Sequence, residues 1–442
     1  MDSTTSRIDE LRGLMVLIGN AVDILEHDIS QRKVASQEQP SDADLRSSVC
    51  TVEAACAQLC SLVARPGDVL ANKFLAFYEP ACLQVVLSNK IPDILQEYPS
   101  GAHISELEKR TGISEGKLCR ILRFLAAKHV FQEVGANTFA NNHLSRELVS
   151  SNPLSSLGLC ITNEMFKAGS SLGDVLNDPE RRASTSPLDT AFSKYFGMKT
   201  LFDYYAVSSS EQNQLAFHFD KGMIGWGSVM EIDSLIPGIP WNTLPKGTSV
   251  CDVGGGVGNI CINLAKHYPT WKFVLQDLPK PMDNAEKKIW PERCPEAIVE
   301  NKIEFIPLDF LKGSPKEGCD IYYLKNILHS WSDEDCIKII GNVRRAMGPS
   351  SRLFVHEFVV RPGYRIPKEE ARFVQAPEPL LPNFGEGRIR QYSMDINMMV
   401  LFNSAERTLD DFIQLGQSAG LKFVKLWETG ELGIVEFVQQ HH

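Results

Sequence analysis

Three residues far apart in the chain carry the clearest potential for chemistry: His329, Glu357 and Glu406. His329 follows an apolar stretch, D-I-Y-Y-L-K-N-I-L over 320–328, and precedes Ser332, which can cap a helix starting at Asp333 with Asp335 three positions on. A lone histidine in such a place is by default structural. Two acids change that reading. Glu357 lies near the end of the next apolar run, S-R-L-F-V-H-E-F-V-V, and Glu406 sits in N-S-A-E-R-T, just before a further helix. In a parallel sheet the carboxyl ends of neighbouring strands lie close together, so the acids can flank the ring. A histidine so flanked is held in one orientation, and its imidazolium is stabilised as it takes a proton.

The stretch that organises the rest is S-V-C-D-V-G-G-G-V-G-N, residues 249–259. An apolar run reaches Asp252, glycines follow at 254, 255, 256 and 258, and I-C-I-N-L-A-K-H has helical spacing. This predicts a buried strand, a tight glycine turn and a helix whose first N–H groups are free. A nucleotide-like ligand fits such a crevice. Three more strands are predicted: Lys272 to Leu278 ending at Asp277, Ile303 to Phe310 ending at Asp309-Phe310, and Asp320 to Leu328. An acid after the second strand suits ribose hydroxyls. An acid beside an aromatic after the third suits an adenine amino group and ring face. A nicotinamide-binding domain is the rival, but its fingerprint is G-x-G-x-x-G and the spacing here is G-x-G-x-G.

D-V-G-G-G-V-G, L-Q-D-L-P, L-D-F, L-K-N-I-L-H-S-W-S-D-E-D-C and N-S-A-E-R-T occur in this order. In them the chain resembles the class I S-adenosylmethionine-dependent methyltransferases. More narrowly, over about residues 65 to 442, it is similar to the plant-type and fungal O-methyltransferases of secondary metabolism, the caffeate and sterigmatocystin type. The resemblance implies S-adenosyl-L-methionine as cofactor, with Gly254, Asp277, Asp309, Phe310 and Lys325 matching the family's contacts to it. It also implies His329 as general base with Glu357 and Glu406 as its acidic partners, and no metal. That suits O-methylation. A phenol has an ordinary pKa near 10 and is a poor nucleophile until its proton is removed, and alignment with the methyl group supplies much of what remains. Ser330 stands where many plant members carry Asp beside the base, which weakens any transfer of plant substrate preferences. The expected substrate is a phenolic or enolic hydroxyl of a small aromatic or polyketide-like metabolite. The alternative is a pericyclase, or another non-transferring enzyme, on the same fold.

The elements that must position these groups make an α/β protein: a Rossmann-like sheet behind an N-terminal, mostly helical winged-helix domain, which the resemblance implies is a dimerisation domain. The expected division is N-terminal helices over 1–64, the winged-helix domain over 65–150, and a helical connector plus the cofactor-binding domain over 151–442. Helices over 7–28 and 45–63 carry broad apolar faces, with a polar linker over 29–44 between them. Together with the winged module they offer more apolar surface than one copy can hide, which predicts a homodimer. Within 67–145 the pattern predicts a helix over 70–86, two short helices around T-G-I-S, and a hairpin over 130–139. Lys117, Arg120 and Arg123 on the second short helix could face DNA, but the net charge of −10, from 45 basic and 55 acidic residues, argues against a nucleic-acid partner. No run of about 18 apolar residues suggests a membrane span. Eleven scattered cysteines without a C-x-x-C pair point to reduced thiols and a cytoplasmic location. Residues 361–390, rich in proline, glycine and charge, read as an insertion on the active-site side, with a lid as one use.

Overall fold

The structure is a computed structural model that describes residues 3–31, 42–197, 199–206, 210–230 and 235–440. The chain forms two compact units. One comprises the described residues of 1–63, 231–398 and 404–442, the other those of 64–230 and 399–403.

The first unit is built on a seven-stranded sheet. Its strands are β1 (Ser249–Val253), β2 (Lys272–Asp277), β3 (Ile303–Pro307), β4 (Ile321–Lys325), β5 (Arg352–Glu357), β6 (Leu421–Thr429) and β7 (Leu432–Gln439). Their spatial order is β6-β7-β5-β4-β1-β2-β3. Strands β1 to β5 pair in parallel, while β7 runs antiparallel to both β5 and β6. Strands β1, β2, β4 and β5 are buried on both faces along most of their length, which is why they read as apolar runs rather than alternating ones, while the edge strand β3 is only partly covered. On one face Ile339, Ile340 and Val343 pack with Phe412 and Leu415. On the other, Ile260 and Leu264 pack with Trp241, Trp271 and Trp290. The order reverses between β1 and β4. Both strands deliver their carboxyl ends there, and a ligand crevice is expected at that point.

The two N-terminal helices, α1 (Ser3–Gln31) and α2 (Asp42–Val63), belong to this unit. Most of the linker read over 29–44 lies outside the described residues. Part of the helices' apolar surface is covered within the chain: Leu14, Ala54 and Ala55 pack with Ala376, Leu380 and Phe384. Gln58 donates to the carbonyl of Pro379 at 3.0 Å. A Cβ at Gly387 would stand 2.2 Å from the carbonyl oxygen of Cys50, so only glycine lets these backbones touch. The 361–390 insertion is thus the seat of the N-terminal helices. The outer side remains apolar and open, with Met15 64% and Val16 60% exposed.

In the second unit the helix expected over 70–86 divides into Pro66–Leu75 and Tyr78–Ser88. The chain stays in right-handed conformation at Ala76 and Phe77, but the Ala76 N–H turns to the nearer Lys73 carbonyl. Helices Ile104–Thr111 and Glu115–Ala127 flank Gly112, which sits at φ 73°. Strands Phe131–Gly135 and Thr138–Asn141 form the hairpin. Arg123 is engaged by Glu133 of that hairpin at 2.7 Å. The connector helices then pack on one another, and no described helix is long and apolar enough to cross a membrane.

Candidate active site

The turn after β1 runs through positive φ at Gly254 (72°), Gly256 (59°) and Gly258 (86°), and the helix Asn259–His267 follows. At Gly254 a side chain is excluded twice over. The conformation is left-handed, and a Cβ would lie 2.6 Å from Ile327 Cδ1 and 3.1 Å from Phe310 Cε1. Gly254 therefore brings the loops after β3 and β4 against the β1 turn. At Gly256 a Cβ would meet nothing within 4 Å, so the backbone there faces open space.

Asp277 ends β2. Its Oδ2 accepts the Gly256 N–H at 2.8 Å and its Oδ1 the Leu278 N–H at 2.6 Å. Burial raises its pKa, and these two N–H bonds offset part of that rise. Each oxygen keeps a lone pair for a further donor. Asp309 is more open. Lys312 lies 2.7 Å away and holds its carboxyl below the usual range. The Phe310 ring is edge-on to Trp331 at 5.8 Å, and its carbonyl accepts from Asn342 at 2.7 Å.

Lys325 ends β4. Burial lowers its pKa to about 8, against the pull of Asp252. Asp252, in β1, is 1% exposed, and its Oδ1 has no hydrogen-bond partner. Burial and then Asp277 push it up to about 7, with Lys325 opposing. A buried acceptor left unpaired against Gly255 of the glycine turn, and the carboxylate of Asp277 with lone pairs to spare, fit a ligand carrying an ammonium group and a ribose. S-adenosylmethionine has both.

Beyond Lys325 the chain turns at Asn326, φ 53°, a conformation asparagine tolerates. A short 3-10 turn, Leu328–Ser330, then presents His329. Three devices hold this turn. The Ile327 and Leu328 N–H groups donate to Glu357 Oε1 at 2.9 and 2.6 Å. Arg407 donates to the carbonyls of Leu328 and Trp331, both at 2.8 Å. Ser404 also donates to the Trp331 carbonyl, at 2.8 Å. Ser332 caps the next helix, as its position suggests. Glu406 reaches the site because Arg407–Thr408 pairs in parallel with Val359–Val360, just past Glu357.

His329 Nδ1 is 2.8 Å from Glu406 Oε1, with 14% of the histidine side chain and none of the glutamate's exposed. Burial works to lower the imidazole pKa, but the charge and hydrogen bond of Glu406, joined by Glu357, outweigh it, and the net shift is upward. Burial pushes Glu357 up to about 7, against the attraction of His329. The two acids have divided roles: Glu406 bonds the ring, whereas Glu357 bonds the backbone beneath it. Oε2 of each is buried without a partner. The ligand atoms of all three lie within 4.8 Å of one another, a spacing a divalent cation could also bridge.

The structure thus gathers Gly254, Phe310 and Ile327 at one point, and His329, Glu357 and Glu406 at another. Arg407 was not singled out from the sequence, and Asp252 was noted as the acid that the first apolar run reaches but given no role. The signal for Asp252 was an acid inside an otherwise apolar strand. For Arg407 it was only its place next to Glu406.

The O-methyltransferase domain family matches residues 175–422, and the O-methyltransferase dimerisation domain matches residues 72–151. "3-O-methyltransferase 2" of Phanerochaete chrysosporium is 41% identical over 98% of each chain. CalO1, a methyltransferase in calicheamicin biosynthesis solved in its SAH-bound form, superposes with a TM-score of 0.65 at 23% identity, covering 86% of this chain and 100% of its own. A structure described as a pericyclic reaction enzyme superposes with a TM-score of 0.70 at 19% identity, covering 96% of this chain and 100% of its own. The chain belongs to the O-methyltransferase family. It is an S-adenosylmethionine-dependent enzyme that acts on a small molecule.

Proposed function

We propose that the enzyme methylates a phenolic or enolic hydroxyl of a small aromatic or polyketide-like secondary metabolite, with His329 as general base. The observation that carries this reading is the buried 2.8 Å contact of His329 Nδ1 with Glu406. It fixes the proton on Nδ1 and leaves Nε2 as the acceptor for the substrate proton. Glu406 orients the ring and stabilises its charged form, and Glu357 holds the turn that carries it. Gly254, Asp277, Asp309, Phe310 and Lys325 hold the cofactor, with Asp252 as a further contact to its ammonium group. When bound, the cofactor supplies an activated methyl group and its own leaving group, so the protein's task is deprotonation and alignment. We further propose a homodimer working in the cytosol. The dimerisation-domain match, the exposed apolar residues Leu70, Phe74 and Leu75, and eleven free cysteines support these two points.

Mass spectrometry of a phenol panel incubated with enzyme and cofactor tests the reaction. A gain of one methyl with formation of S-adenosylhomocysteine is expected. His329→Ala should lose about 10²- to 10⁴-fold in kcat, with partial rescue on a phenol that is already ionised. Undiminished transfer by His329→Ala to an un-ionised phenol refutes the base. The likeness to a pericyclic reaction enzyme supports a second reading, in which the product keeps the substrate's mass and no S-adenosylhomocysteine accumulates. Sedimentation at the monomer mass at micromolar concentration refutes the dimer.

A further inference from the structure

The carboxylate that tunes His329 needs a fixed main chain of its own. Glu406 follows helix Ile389–Phe402 across a short irregular passage that begins at left-handed Asn403, φ 53°. Pairing with Val359–Val360 starts only at Arg407, one residue later. Thr408 then caps helix Leu409–Ser418, with Asp411 completing a capping box. The chain is thus tied down immediately after Glu406. At Glu406 itself the tie is a side chain: the Glu406 N–H donates to Asp395 Oδ1 at 3.0 Å.

Asp395 stands on helix Ile389–Phe402, eleven residues before the group it holds. It is half-buried, whereas Glu406 is 5% exposed. Burial raises the Asp395 pKa first, the Glu406 N–H opposes the rise, and the Glu406 charge adds to it. The contact uses Asp395 as an acceptor, a task that the oxygen of an asparagine can also perform.

The placement of this main chain matters because little else corrects it. Among the described residues the Glu406 carboxylate makes one hydrogen bond, to His329 Nδ1 at 2.8 Å, and its Oε2 is buried without a partner. A main-chain shift passes directly to that contact, and a misplacement of about 1 Å can cost on the order of 10²-fold in rate. We propose that Asp395 is a positioning residue for methyl transfer: by holding the Glu406 N–H it sets where the Glu406 carboxylate meets His329. It acts through Glu406 and is not itself a base. This rests on the reading of His329 as the general base.

The test compares the parent with Asp395→Ala, Asp395→Asn, Glu406→Gln and the double variant Asp395→Ala/Glu406→Gln, by pH–rate profile, by kcat and KM, and by thermal unfolding. Asp395→Ala should lower kcat about 3- to 30-fold and move the His329 limb down by about half a unit to one unit, with KM for the phenol changed less than about twofold. Asp395→Asn should recover most of both losses, because its amide oxygen accepts the same N–H. In the Glu406→Gln background Asp395→Ala should move the limb no further, since the charge it positions is already gone. A folded Asp395→Ala with the parental limb overturns the inference, and if such a variant only unfolds at a lower temperature the contact is structural. An asparagine variant as impaired as the alanine one also overturns it, as does a full limb displacement in the Glu406→Gln background. If Asp395→Ala does not fold, Asp395→Ser, polar but too short to reach the N–H, takes its place in the same comparisons. A parent with no histidine limb, or a fully active His329→Ala, defeats the base reading first and the inference with it, and both are measured without any Asp395 variant.

Discussion

Replacing Glu406 by glutamine separates charge from shape at the base. The amide oxygen of Gln can still accept from His329 Nδ1, so the ring keeps its orientation, but the carboxylate's charge is gone. In the parent that charge, with its 2.8 Å hydrogen bond, is what overcomes burial and lifts the imidazole above its ordinary value. A charge-assisted hydrogen bond at a site this enclosed is worth about 1.5–3 kcal/mol, which converts to about one to two pKa units. The base form is the neutral ring, so the parental rate should rise with pH through a midpoint above 6.5. In Glu406→Gln burial is opposed only by Glu357, and the midpoint should fall by about one to two units. The plateau should drop roughly 3- to 30-fold, because a less basic imidazole is a weaker base. The assay is the initial rate of S-adenosylhomocysteine formation at saturating cofactor and phenol between pH 5.5 and 9. Linkage gives a second readout. A histidine with a raised folded pKa stabilises the fold fully below its unfolded value, and that contribution is lost as pH rises through the folded value. The gap in denaturant stability between parent and Glu406→Gln should therefore be widest at low pH. A rate limb that stays in place in the variant refutes the assignment of Glu406 as the group that tunes His329.

Three further outcomes follow from the same geometry. Asp277→Ala should weaken S-adenosylmethionine binding by roughly 10- to 100-fold in titration calorimetry, through the loss of charge-assisted hydrogen bonds, while moving the unfolding midpoint little; unchanged affinity in a folded variant removes Asp277 from the cofactor site. Arg407→Met should cost about 1.5–3 kcal/mol in urea unfolding, since it removes a charged donor from two carbonyls of the His329 turn, and should lower kcat without changing cofactor affinity. Prolonged dialysis against EDTA should leave the rate intact; a loss restored by a divalent ion would turn the His329, Glu357 and Glu406 cluster into a metal centre.

Much of the Rossmann-like unit was legible because burial on both faces writes a strand as a continuous apolar run, and glycines mark the turn after β1, where a Cβ at Gly254 cannot fit. The ends of the runs were harder to read. Asp320 to Leu328 looks like a single strand, yet pairing stops at Lys325 and the chain reverses hand at Asn326. Asparagine is the only local clue, and it gains meaning only when the Asn326 N–H is seen on the His356 carbonyl. The partner of the 361–390 insertion was hidden for a related reason. The insertion's proline and charge describe a chain without regular structure, but what it covers depends on Leu14, Ala54 and Ala55, more than 300 positions earlier.

The two acids around His329 show where local reading stops. From the sequence Glu357 and Glu406 are equivalent, each a carboxylate near the end of an apolar element. The fold distinguishes them by what else is unpaired nearby. The 3-10 turn at Leu328 leaves two N–H groups that regular pairing does not reach, and two carbonyls with lone pairs to spare. Glu357 takes the N–H groups, and Arg407 takes the carbonyls. Glu406 is then the carboxylate left for the ring, delivered there by the short Val359–Val360 pairing. Arg407 adds a charged donor to each carbonyl and so holds the turn from the side opposite Glu357. Its role has no sequence signature because it acts on a turn some 80 residues away. On this account Glu357→Gln should be milder than Glu406→Gln in its effect on the pH limb. Its amide oxygen can still accept the Ile327 and Leu328 N–H groups, and the hydrogen bond that tunes His329 is untouched. The same pH–rate series measures both variants, and an equal displacement of the two limbs would contradict the division of labour argued for the pair.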